Sequence, residues 1–215
     1  MAWSPLYVTV NDLADYENIT DAQQITDEIS ELTRAVTAAS RAVDRHCSRS
    51  GVKRQFGKVA AAEERFYTPR WSPRRCRWVV TVDDFQSVTG LAVNLDLDGD
   101  GTYSDAVTGS RKLPLNASAE GLPWTALVLP ESANGQLCGS EGEVSVTALW
   151  GWTSVPVSVE EATLLQASRF YNRGNAPFGV AGSVDTGSEM RLLAKVDPDV
   201  AVSLAYYRRN DLVVA

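Results

Sequence analysis

The sequence predicts an α+β protein: a small α-helical bundle formed by the N- and C-terminal segments, with an all-β subdomain inserted between them. Three observations predict it. Apolar residues recur at helical spacing over residues 25–43. Stretches rich in β-branched and aromatic residues, punctuated by Gly, Pro, Asn and Ser, crowd into residues 60–150. Helical signals then return after Val155-Pro156. The expected division is a helical core of residues 1–55 and 151–215 around a β subdomain of residues 60–150. At 215 residues the chain can bury a real core. Its 44% hydrophobic and 22% charged residues are a globular, not a disordered, composition.

The elements follow in order. Thr9 with Asp12 three residues later forms a capping box for a short helix through Leu13 and Tyr16. Thr20 and Gln23 form another, before Ile25, Ile29, Leu32, Val36, Ala39 and Val43. Their spacings of four and three place an apolar seam on one helix of roughly seven turns. Such a seam packs on another helix, either within the chain or on a neighbouring subunit. Strands are expected at residues 65–68, 77–82, 91–95, 125–129 and 143–150, with turn-rich segments such as 114–123 between them. The chain leaves and re-enters the helical core through Gly51 and Gly151-Trp152. Ser158 to Glu161 opens a further capped helix, through Phe170 and Tyr171 to a stop at Gly174. Residues 174–187 carry four glycines and no regular pattern, which predicts a long loop. Asp197-Pro198-Asp199 caps a last helix that ends near Tyr206 to Arg209.

Composition removes several classes of function. No apolar run reaches bilayer length, which argues against an integral membrane protein. No basic start precedes an apolar stretch, so no secretory signal is expected. Cys47, Cys76 and Cys138 are few and odd in number, which fits a reducing compartment without a disulfide framework. His46 is the sole histidine, which nearly excludes a Cys/His zinc site and leaves it the only candidate for a Ser-His-Asp triad. Phosphate-loop, dinucleotide, hydrolase-elbow and metalloprotease signatures are missing, and no enzyme is expected.

Two features invite a ligand. Net charge is −7, yet residues 41–77 hold 11 Lys/Arg against 3 Asp/Glu. That stretch is either a surface for nucleic acid or an acidic partner, or a solvated basic loop. Asp96-Leu97-Asp98-Gly99-Asp100-Gly101 matches the first half of a calcium loop, with Asp96, Asp98 and Asp100 as candidate ligands. The second half fails, because Val107 stands where a bidentate Glu belongs. The same residues suit a β-hairpin tip. Calcium is thus the one candidate cofactor, and the alternative function is a calcium-stabilised β module that binds a surface or carbohydrate through Trp71, Trp78 and Trp124.

Several stretches carry a family likeness. One is Tyr7-Val8-Thr9-Val10-Asn11-Asp12-Leu13 ahead of a long helix ending in Ala42-Val43-Asp44-Arg45-His46-Cys47. A second is the hairpin of residues 96–103. The third runs from Gly151-Trp152 through Glu161-Ala162-Thr163-Leu164-Leu165 to Arg173-Gly174-Asn175-Ala176-Pro177-Phe178-Gly179, then Asp197-Pro198-Asp199-Val200 and Tyr207-Arg208-Arg209. Together they resemble the head-tail adaptor (connector) proteins of long-tailed bacteriophages, the HK97-type connector family. The resemblance implies a structural protein of the virion neck, assembled in the host cytoplasm as a homo-oligomeric ring, commonly of twelve copies. Such a ring sits beneath the portal protein, extends the DNA channel and receives the stopper, head-completion or tail-terminator protein. DNA only passes through it, and no membrane is involved. Candidate subunit and portal contacts are Ile25, Ile29, Leu32 and Val36 on the seam, and Phe178, Val180, Leu204, Tyr206, Tyr207, Arg208 and Arg209 near the end. The aromatic and arginine residues among them are interface anchor types.

Overall fold

The computed structural model describes residues 4–48, 54–175, 180–181, 190–191 and 197–209. The chain divides into two compact units, one of Met1–Arg49 and Val155–Arg209, the other spanning Ser50–Ser154. The fold is α+β.

The first unit is helical. Helix α1 (Val10–Tyr16) begins at the expected capping box: Asp12 N–H donates to Thr9 Oγ1 at 3.1 Å, and Thr9 N–H to the Asp12 carboxylate at 2.6 Å. The expected seven-turn helix is instead two, α2 (Ala22–Asp27) and α3 (Ile29–Cys47). Asp21 caps α2, not Thr20, because its carboxylate takes the Gln23 N–H at 3.0 Å. At Glu28 the backbone relaxes to φ −99°, ψ 7°, although Glu28 N–H still reaches Gln24 O and Glu28 O still accepts from Leu32, each at 3.0 Å. The junction bends without opening. Ile25 before it packs on the core, whereas Ile29 after it is turned to solvent.

From Leu32 onward the seam is core. Leu32, Val36 and Ala39 are fully buried with Leu13, Ala14, Ile19 and Ala167. Helix α4 (Val157–Asn175) packs along α3, with Val159, Ala162, Thr163, Gln166 and Ala167 buried. Ser158 lies inside α4 and does not cap it, and Gly174 does not stop it. Side-chain bonds radiate from this helix: Tyr171 hydroxyl to Glu28, Asn172 to Glu17 at 3.2 Å, and Arg169 to Asp197. Asp197 also caps α5 (Pro198–Leu204) by accepting from Asp199 N–H at 2.9 Å, with Pro198 at the first turn. A 3₁₀ turn, Ala205–Tyr207, follows, and Arg209 N–H donates to Cys47 O at 3.0 Å. Val180 and Ala181, within the expected loop, pair antiparallel with Arg191 and Met190 just beyond it; the other residues of that loop between 176 and 187 lie outside the described set.

The second unit holds two four-stranded antiparallel sheets. One orders β1 (Glu63–Tyr67), β8 (Val144–Ala148), β4 (Ala92–Leu95) and β5 (Asp105–Ala106) as β1-β8-β4-β5. The other orders β2 (Arg70–Ser72), β3 (Arg77–Phe85), β7 (Trp124–Val128) and β6 (Arg111–Leu113) as β2-β3-β7-β6. The two-residue pair in the helical unit is β9 and β10. Alternating inward residues build the β core, among them Val80, Val82, Val93, Leu95, Leu127, Val144 and Val146.

The expected boundaries at 55 and 151 shift. Phe56 and Trp152 are both buried in the β unit, with ring centroids 5.0 Å apart. The unit's two ends are laced together: Val59 N–H donates to Trp150 O at 3.0 Å, and Trp152 N–H to Gly57 O at 2.7 Å. Gly151-Trp152 is therefore β-unit core and not a hinge. Phe85 and Trp150, with ring centroids 6.1 Å apart, form another buried aromatic pair of the same unit.

Candidate interaction surfaces

The predicted contact residues divide according to their own packing. Leu32, Val36 and Leu204 have no exposed surface, and Arg209 is 2% exposed. Their side chains are buried within the chain's own helical unit. Ile25 and Tyr207 are half-buried. Ile29, Tyr206 and Arg208 face solvent. The Tyr206 ring stands edge-on to Tyr207 at 5.4 Å, which holds a large exposed side chain in one orientation. Phe178 lies outside the described residues. Val180 contributes its backbone to the β9–β10 pair, and its side chain is outside the described set.

Sequence reasoning missed Val157 and Val202, which are 71% and 76% exposed. A signal was present for Val202. Val200 and Leu204 already supply the buried face of the seven-residue α5. Val202 and Tyr206 form a second pair, four residues apart, on another face. One burial face does not require both.

The basic stretch is not one surface. In the helical unit, Arg41 pairs with Asp44 at 3.2 Å and bonds the Pro5 carbonyl. In the β unit, Arg54 is buried against Asp84, and Arg65 bonds Asp83 at 2.6 Å with its guanidinium 4.8 Å from the Trp150 ring centre. Tyr67 donates to the same Asp83 at 3.0 Å, and burial followed by the Asp83 charge pushes its phenol well above the usual range. These cations are structural. Arg45 and Lys58 are exposed elsewhere, while near the β2–β3 turn Arg75 and Arg77 join Arg111 of β6 around a cleft of about 480 Å³. Leu113, Leu115, Val128, Leu129 and Pro130 form its apolar wall, and Glu131 on its rim holds Arg77 at 2.8 Å. Among the described residues no carboxylate pairs with Arg75 or Arg111.

The aspartate motif is the tip of the β4–β5 hairpin. Asp96, Asp98 and Asp100 each offer a carboxylate oxygen within 4.8 Å of the others, so they are the residues that would hold a cation. Asp96 is already engaged: it accepts from Gly99 N–H at 2.8 Å and Gly101 N–H at 3.0 Å. Desolvation, the largest single influence, raises its pKa, but the Gly101 and Gly99 N–H donors, with Asp98 and the Asp100 backbone, together outweigh it and leave the carboxyl below its ordinary value. Gly99 and Gly101 have φ of 74° and 85°, which explains glycine at both places. Val107, at the twelfth position, donates to Val93 O at 2.8 Å and so continues the strand pairing.

His46 sits half-buried at the end of α3, and its Nε2 meets no hydrogen-bond partner. A triad needs a hydroxyl there. Burial, then the Arg208 charge, lowers its pKa. Cys47 is buried, Cys76 and Cys138 are exposed, and none of the three forms a disulfide. No helix among the described residues is long and apolar enough to cross a membrane.

No protein-family model and no curated protein matches the chain. Among solved structures, it is similar to a chain of "Neck of empty GTA particle computed with C6 symmetry". The likeness covers 100% of this chain and 96% of that one, at 17% identity and a TM-score of 0.55. At that identity the two chains share a fold.

Proposed function

We propose that this protein is a structural component of the neck of a phage-like particle: a head-to-tail adaptor that forms a ring beneath the portal, extends the DNA channel and offers the surface to which a stopper or tail-completion protein attaches. One observation carries the reading. The whole chain, helical unit and β unit together, follows a chain of a GTA (gene transfer agent) particle neck almost from end to end. A likeness restricted to one unit would speak only for a common building block.

The residue physics supports it. A ring needs heterologous contacts, in which one face of each subunit meets a different face of the next. Ile29, Val157, Val202 and Tyr206 are exposed apolar residues of the helical unit that can take part in such contacts. A GTA neck computed with C6 symmetry is compatible with a ring of six or of twelve copies, and twelve is the number the family resemblance favours. A net charge of −7 suits a conduit, because phosphate affinity comes from Lys and Arg and an acidic wall releases passing DNA. The role requires shape and contact and no chemical step.

Electron microscopy of the protein mixed with its portal tests this. A ring added at the portal's narrow end is the expected result. A portal that gains no density, at protein concentrations well above those of assembly, overturns it.

A further inference from the structure

We propose that the arginine cleft of the β unit receives the aspartate hairpin of a neighbouring copy. This deepens the ring reading above and rests on it.

The cleft has the composition of a docking site for an acidic, leucine-bearing loop. Arg75, Arg77 and Arg111 converge on its mouth, and Leu113, Leu115 and Val128 form its wall. Leu115 is 64% exposed and extends the apolar wall to the surface beside Arg111. Arg77 is held by Glu131, whereas Arg75 and Arg111 have no carboxylate partner among the described residues. Two unpaired guanidiniums beside apolar surface favour carboxylates flanking an aliphatic side chain.

The same unit carries that chemistry elsewhere. At the β4–β5 tip, Leu97, Asp98 and Asp100 are exposed. None of them lines the cleft of their own chain. Asp96 is spent on the turn, binding Gly99 and Gly101 N–H, and Asp100 accepts from Thr102 N–H at 2.7 Å. The tip is therefore fixed before any partner arrives, and little conformational entropy is lost on docking. Leu97 seats against Leu115, and Asp98 meets Arg111. Cleft and tip are different surfaces of one chain, so the contact is heterologous and propagates from copy to copy, as closure of a ring demands. Nucleic acid is the competing occupant of an arginine cleft. The apolar wall and the acidic chain as a whole disfavour it.

Charge exchange in the full-length chain tests the contact, with association followed by sedimentation at low and high salt. Arg111→Glu alone and Asp98→Arg alone are each expected to weaken association about 10-fold or more, and the double exchange to recover most of the loss. Both positions are exposed, and unchanged melting temperatures confirm that each variant is folded. Single exchanges without effect, or a double variant no better than its parents, overturn the contact while leaving a ring formed by other surfaces intact. A chain monomeric at every concentration, that also adds no ring to the portal, overturns contact and ring together. Binding of a single-stranded oligonucleotide that Arg111→Glu abolishes, with self-association unchanged, assigns the cleft to nucleic acid and overturns the proposal.

Discussion

Arg54 Nε lies 2.7 Å from the Asp84 carboxylate, and Trp152 Nε1 donates to the same oxygen at 3.1 Å. The Arg54 and Asp84 side chains are 7% and 3% exposed. The guanidinium also lies over the Trp152 ring, 5.5 Å from its centre. Residues 54, 84 and 152 come from the start, middle and end of the β unit, so the cluster closes it. Removing one charge strands the other in apolar surroundings. Arg54→Met is therefore expected to destabilise the β unit by about 3–5 kcal/mol. Arg54→Met with Asp84→Leu should cost less than Arg54→Met alone, because no charge is left buried. Urea unfolding of the three proteins, followed by tryptophan fluorescence, makes the comparison. A double variant as unstable as the single would show that the hydrogen bond to Trp152 matters more than the charge pair.

His46 gives a pH dependence of known sign. Burial, and secondarily Arg208, holds its pKa below the ordinary histidine value. The unfolded chain thus binds the proton more readily than the folded one. Stability is complete above the unfolded pKa of about 6.5 and declines as pH falls toward the folded value. Because His46 is the sole histidine, its ring proton resonances report on it alone. Arg208→Ala is expected to raise the pKa only part of the way, since burial is the larger cause. His46→Gln should flatten the stability profile across that window. A titration at or above the ordinary value removes the basis of this prediction.

The aspartate hairpin separates turn chemistry from metal chemistry. Both Asp96 oxygens take backbone donors, and Val107 continues the ladder. Asp96→Asn presents an amide where one donor already points, and is expected to cost about 1 kcal/mol. If the carboxylates serve the turn, calcium at about 1 mM should move the melting temperature no more than chelator does, because a ligand stabilises only where it binds the folded state. A calcium-dependent rise, abolished by Asp98→Asn, would assign the loop to a cation instead.

Much of this fold was legible in the sequence because its signals are local. Thr9 and Asp12, or Asp197 with Pro198, fix helix starts within four residues, and the β-branched and aromatic run of residues 77–82 fixes a strand. The split at Glu28 was not legible. The 25–43 spacing continues across it, and the break involves Tyr171, more than a hundred residues away. Strands β2, β5 and β6 are two or three residues long and depend on their partners for identity. Trp152 could be assigned to the β unit only through Phe56 and Arg54. For the surfaces, sequence showed which residues are anchor types but not which side of a helix the core consumes. Leu32 and Ile29 read alike in the sequence, although one is fully buried and the other faces solvent on the same helix. The arginine cleft was unreadable for the same reason: Arg75, Arg77 and Arg111 meet only after β3, β7 and β6 pair.

That distinction between Leu32 and Ile29 gives the sharpest test of where the helical unit meets its partners. Leu32 is fully buried, so Leu32→Ala leaves a cavity and is expected to cost about 3 kcal/mol. Ile29, Val202 and Tyr206 are 52%, 76% and 63% exposed. Ile29→Ser, Val202→Ser and Tyr206→Ser should each leave stability within about 0.5 kcal/mol. If the exposed apolar residues serve assembly, these same three variants lose ring formation on the portal, and Tyr206→Ser loses most, because a well-packed tyrosine anchor contributes more to an interface than an exposed valine. Thermal unfolding and portal pull-down on one set of proteins read the two effects separately. Stability and assembly falling together at Ile29 would mean that it packs on its own chain. Stability and assembly both unmoved at all three positions would place the adaptor contacts on a different face.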